Sequence, residues 1–201
     1  MMDLPECSLP RSEASFCKKL RTVFLDRDGV LNEKMPEGKY VTCWREFRIL
    51  PGIPEAIAQL NKASVRVIVV SNQRGISLGL YSAADVDAIH KQFQNELQKH
   101  GAHVDKFYFC PHDKRSCQCR KPLPGLFEQA FSDFPEIRPV TSVMIGDSLS
   151  DIEFGHNLGM PTIFIDGQAE NQKLGANAAA ELSNWRFPSL PLAVDALLQH
   201  R

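Results

Sequence analysis

Five short apolar runs mark out the chain, and segments with a helical repeat separate them. TVFL (22–25), VRVIVVSN (65–72), KFYFC (106–110), VTSVMIGD (140–147) and PTIFID (161–166) are rich in β-branched and aromatic residues. Runs of this length and composition read as buried strands. Between the first two, Pro51-Gly52 breaks the chain, and Ile53, Ala56, Ile57 and Leu60 then fall at helical spacing. After the second, Ser82 offers an N-cap, Val86, Ile89, Phe93 and Leu97 share one helix face, and Gly101 ends it. Leu126, Phe127, Ala130 and Phe131 form another stripe behind a proline-rich helix entry. SDIEFGHNLGM reads as a short helix stopped by Gly159, and LPLAVDALLQH as a closing helix. This alternation predicts an α/β fold: one doubly wound, parallel, five-stranded sheet of Rossmann-like form with right-handed crossovers. Residues 1–20, with Pro5, Pro10 and no clear period, read as a poorly ordered tail. Residues 21–201 read as a single domain.

Composition narrows the function classes. With 201 residues, a formal net charge of -1 and a pI near 6.6, the chain has no global attraction for nucleic acid or an anionic membrane. No stretch approaches the roughly 20 apolar residues needed to cross a bilayer, and the N-terminus lacks the apolar run of a signal peptide. Six cysteines are too few for a disulfide-dense scaffold. A cytoplasmic monomer is expected.

In doubly wound folds ligands bind beyond the carboxyl ends of the strands. The first strand ends in Asp26-Arg27-Asp28-Gly29 and the second in Ser71-Asn72. The third runs into a cysteine-rich loop and then Lys121, and the fourth ends in Gly146-Asp147, with Asp151 four residues on. Carboxylates gathered at one sheet edge repel one another. A divalent cation relieves that repulsion, and an all-oxygen ligand set suits Mg²⁺.

The loop CPHDKRSCQC holds two i,i+2 pairs, Cys110 with His112 and Cys117 with Cys119. Four N/S ligands close a tetrahedron suited to Zn²⁺ and leave no position for a reacting water, which points to a structural site. Reduced thiols beside a surface histidine, or a catalytic cysteine, are the alternatives. Cys7, Cys17 and Cys43 have no partners at metal spacing.

The ordered set of DxDGV, SN, RKP and GDSxxD at successive strand ends resembles the haloacid dehalogenase superfamily of aspartate-nucleophile phosphatases, over about residues 22–165. The resemblance implies that Asp26 is the nucleophile and Asp28 the general acid and base. It implies that Ser71 hydrogen-bonds the phosphoryl group and that Lys121 offsets its charge. Mg²⁺ would be held by Asp26, Asp147 and the Asp28 carbonyl, with Asp151 in support. CPHxxxxCxCRKP resembles the branch that holds the heptose-1,7-bisphosphate 7-phosphatases and the histidinol-phosphate phosphatases, which have no large cap domain. What that branch implies is hydrolysis of the C7 phosphate of a heptose bisphosphate, on the route to bacterial surface polysaccharide. The implied substrate contacts are Asn32, Lys39, Tyr40, Asn72, Gln73, Arg74, Arg120 and Lys121. Arg74 and Ser148 depart from the usual pattern of the heptose enzymes; two arginines near one pocket suit a substrate with two anionic ends. Histidinol phosphate is the alternative substrate. A nucleic-acid 3′-phosphatase uses a similar DxDG strand end, but the near-neutral charge disfavours it. A catalytically silent, zinc-stabilised binding protein is the alternative from another class.

Overall fold

The computed structural model describes residues 14–167 and 175–199. Its centre is a parallel sheet of β1 (Thr22–Leu25), β2 (Arg66–Asn72), β3 (Lys106–Cys110), β4 (Ser142–Gly146), β5 (Thr162–Ile165) and β6 (Trp185–Phe187), in the order β3-β2-β1-β4-β5-β6. The expected five strands are therefore six. β6 was not legible because three residues, Trp185-Arg186-Phe187, are too short to show a period; the strand pairs with β5 at the sheet edge.

Side chains alternate across a strand, so each central strand feeds two cores. Val23, Leu25, Val67, Val69, Val143 and Ile145 point to one face, where α2 (Ile53–Lys62), α3 (Ala83–Gln98) and α7 (Leu190–Gln199) pack. Phe24, Ile68, Val70 and Met144 point to the other, under α4 (Gly125–Asp133) and α5 (Leu149–Asn157). The central strands are buried on both faces, which is why they read as continuous apolar runs. Ser82 caps α3 through a reciprocal pair of bonds with Asp85. Two short helices were not foreseen. α1 (Ala14–Lys19) lies within the stretch read as a tail and seats Cys17 in the core, with Leu20 buried just beyond it. α6 (Ala176–Leu182) is alanine-rich and shows no large apolar stripe. Residues 1–13, including Cys7, lie outside the described residues.

The strand order reverses between β1 and β4, which are direct neighbours. This switch point opens a crevice at their carboxyl ends. Between β1 and α2 the chain forms only a single 3-10 turn, Trp44–Glu46, and isolated bridges, so no cap domain covers the crevice there. Among the described residues no helix is long and apolar enough to cross a membrane.

Candidate active site

Asp26 leaves the end of β1 and Asp147 the end of β4. With Asp151 from the first turn of α5, their carboxylate oxygens lie within 4.8 Å of one another. All three residues are buried. Gly29 makes the approach possible: its φ of 101° favours glycine, and a Cβ there would sit 2.2 Å from Asp147 Oδ2.

Lys121 holds this acidic cluster together. Its Nζ donates to Asp26 Oδ1 at 2.8 Å and to the Val70 carbonyl at 2.6 Å, and pairs with Asp151 Oδ1 at 2.7 Å. Burial pulls its pKa down, but the Asp151 and Asp26 carboxylates outweigh that and leave it raised. The other oxygen of Asp151 accepts from the backbone N–H and hydroxyl of Ser148, the N-cap of α5. Asp151 thus links Lys121 to the start of α5, and the Ser148 hydroxyl is spent on the helix cap. Lys34, which sequence reasoning passed over, sets its ammonium against Asp147 Oδ2.

Asp28 is held from three sides. Arg27 donates to its Oδ1 from Nε at 3.2 Å and Nη2 at 3.0 Å, Asn32 Nδ2 to the same oxygen at 3.0 Å, and Gln73 Nε2 to Oδ2 at 3.0 Å. Desolvation raises its pKa, but the Arg27 charge and these hydrogen bonds win and hold the carboxyl below its usual range. Arg27 was also missed. Its side chain is 1% exposed, so it is a buried charge whose partner is Asp28. Ser71 Oγ accepts from Gln73 Nε2 at 2.7 Å, which leaves the hydroxyl proton available to donate.

The remaining expected contacts divide. Both ends of the Asn72 amide are committed to the Lys121 backbone, at 3.1 Å and 3.0 Å, so Asn72 clasps the chain that carries the lysine. Arg74 pairs with Asp113 of the cysteine loop at 2.5 Å. Arg120 carries a buried Nη1 with no protein partner. Lys39 is exposed and Tyr40 half-buried, its ring centroid 6.0 Å from that of Tyr81.

The cysteine loop forms a second cluster. Cys117 Sγ lies 3.5 Å from both Cys110 Sγ and Cys119 Sγ. His112 Nδ1 lies 3.2 Å from Cys119 Sγ and 3.7 Å from Cys110 Sγ. A zinc tetrahedron with Zn–S bonds of about 2.3 Å has sulfur–sulfur edges of about 3.8 Å, so the four atoms fit such an ion. Desolvation and then the neighbouring thiols push the Cys119 thiol up. A metal ion would have to displace that proton.

A family model described as HAD-hydrolase-like matches residues 118–184. The chain is 38% identical over 169 residues to D-glycero-alpha-D-manno-heptose-1,7-bisphosphate 7-phosphatase of Mycobacterium tuberculosis, covering 84% of this chain and 86% of that protein. It is 37% identical over 153 residues to D-glycero-beta-D-manno-heptose-1,7-bisphosphate 7-phosphatase of Rhodopseudomonas palustris, covering 72% and 83%. The D,D-heptose 1,7-bisphosphate phosphatase of B. bronchiseptica, crystallised with magnesium and phosphate, superposes with a TM-score of 0.79 at 28% identity. The superposition covers 90% of this chain and 100% of that one.

Proposed function

The chain belongs to the heptose-1,7-bisphosphate 7-phosphatases of the haloacid-dehalogenase-like hydrolases, and from that premise we propose that it removes the C7 phosphate of D-glycero-D-manno-heptose 1,7-bisphosphate through an aspartyl-phosphate on Asp26. The observation that carries the mechanism is the buried Asp26–Lys121–Asp151 arrangement at the β1/β4 switch point.

In the first step an Asp26 oxygen bonds to phosphorus as the bond to the sugar oxygen breaks, and Asp28 gives its proton to the leaving alkoxide. In the second, Asp28 as carboxylate takes a proton from water, the water oxygen bonds to phosphorus, and Asp26 is released with inorganic phosphate. The hydrogen bonds around Asp28 favour its carboxylate, the form the second step needs. Arrival of a phosphate dianion beside it raises its proton affinity for the first. Ser71 donates its hydroxyl to a phosphoryl oxygen, and Lys121 stays within reach of the charge that develops there. Asp26, Asp147 and the Asp28 carbonyl would hold Mg²⁺, an assignment supported by the clustered oxygen donors. When bound, the ion offsets the negative charge of nucleophile and phosphate.

Arg120, with its buried unpartnered Nη1, is suited to the substrate's second phosphate, and Arg74 pairs with Asp113, on which the Arg120 charge also acts. Cys110, His112, Cys117 and Cys119 would hold a structural Zn²⁺ that ties down the loop leading into Arg120 and Lys121. The phosphoenzyme is the point to test. Acid-quenched turnover followed by mass spectrometry should find the added phosphate on the peptide containing Asp26. Phosphate release with that peptide never modified would sink the covalent route.

A further inference from the structure

Gln73 has a side-chain amide with no unused end. Its Nε2 donates to Ser71 Oγ at 2.7 Å and to Asp28 Oδ2 at 3.0 Å. Its Oε1 accepts from the Tyr81 hydroxyl at 2.7 Å. Gln73 is 2% exposed and Tyr81 is 8% exposed, so water does not readily replace either partner. The tyrosine is tightly seated. A Cβ at Gly75 would come within 2.1 Å of Tyr81 Cε1, so the turn after Gln73 must carry a glycine for the ring to lie where it does. Tyr81 also directly precedes Ser82, the N-cap of α3, and so is anchored to the start of a sixteen-residue helix.

We infer that Tyr81 is a positioning residue, which fixes the side chains of Asp28 and Ser71 through the amide of Gln73. The inference rests on the roles proposed above for those two residues. A buried carbonyl oxygen without a donor is costly. With the Tyr81 hydroxyl gone, the Gln73 amide turns to find another donor for Oε1, and Nε2 leaves Asp28 and Ser71. No period or motif marks Tyr81 in the sequence; its role depends on a contact that only the folded β2–α3 connection creates.

The test uses the full chain with Mg²⁺ and heptose 1,7-bisphosphate, in four forms: wild type, Tyr81→Phe, Gln73→Leu and the double variant. Phenylalanine keeps the ring against Gly75 and deletes only the hydroxyl. Expected is a fall in kcat of about tenfold in Tyr81→Phe with KM within about twofold, as for lost support behind a reacting group. The double variant should be no slower than Gln73→Leu, because Tyr81 acts only through Gln73. The side-chain amide signals of Gln73 in ¹⁵N-labelled enzyme should shift and exchange faster in Tyr81→Phe. Unchanged amide signals, or losses that multiply in the double variant, would overturn the inference. A wild type inert towards every phosphomonoester is a separate failure. It would remove the phosphatase reading, while the amide signals would still decide whether Tyr81 holds Gln73.

Discussion

Cys119 and Lys121 are two residues apart, yet the sites they belong to are assembled in different ways. The carboxylate site draws Asp26, Ser71, Lys121 and Asp147 from four strand ends and the loops beyond them, and Asp151 from the first turn of α5. Each of its carboxylates already meets a cationic side chain: Lys121 serves Asp26 and Asp151, Lys34 serves Asp147, and Arg27 serves Asp28. The thiol loop takes all its candidate ligands from Cys110 to Cys119, and His112 and much of the loop face solvent. Its polar atoms meet chiefly one another. Buried carboxylates need cations to exist as charges, so the fold supplies them. Thiols can stay neutral by keeping their protons, so their loop can wait for an ion. The first site is organised by the sheet; the second, as proposed above, would be completed by metal.

The largest effects should fall on the sheet-built site. Asp26→Asn removes the proposed nucleophile and should lower kcat by at least about a thousandfold, measured as phosphate release, while the protein still folds. Lys121→Met should lower kcat by about 10²–10³-fold. It should also destabilise the fold by about 3–5 kcal/mol in denaturant unfolding, because Asp26 and Asp151 lose a buried partner. Cys119→Ser, or zinc removal by a chelator, tests the other region. The melting temperature should drop and bound zinc should disappear. Activity should fall by only about tenfold, because Asn72 clasps the Lys121 backbone independently of the loop. A thousandfold loss there would break the contrast between the two regions.

The smallest effect concerns pH. His90 is buried, stacks on Phe107 at 4.4 Å, and has its pKa lowered to about 3, first by burial and then by the Arg27 charge. The unfolded chain takes up this proton near about pH 6.5. Above that pH the group costs nothing. As pH falls from there towards 3, the unfolded state gains a proton that the native state does not, and stability declines. Unfolding curves of His90→Leu should lose less stability over this window than wild type. Equal losses would show that His90 is not held neutral.

The strands and the acids at their ends were legible because a buried parallel strand is a continuous apolar run and its terminus marks a ligand position. The start of α2 at Ile53 was legible, since Pro51-Gly52 directly precedes it and its apolar stripe is regular. β6 and α6 were not, one being three residues long and the other built on alanines. In the site, local spacing singled out Asp26 and Asp28 and grouped Cys110, His112, Cys117 and Cys119, four side chains that the fold does bring together. It did not reveal Arg27, whose buried guanidinium looks like a spacer between two aspartates. Nor did it reveal Lys34, which meets a carboxylate 113 residues away. Asn72 was expected to contact substrate, and its amide instead grips Lys121. A side chain's residue type can be read locally, whereas its partner is set by the fold.

The most direct measurement is phosphate release with Mg²⁺ from both anomers of heptose 1,7-bisphosphate and from histidinol phosphate, side by side, with Asp26→Asn as the control. The account predicts a large preference for the bisphosphate, lost in the variant. A preference for histidinol phosphate, or turnover that survives Asp26→Asn, would contradict it.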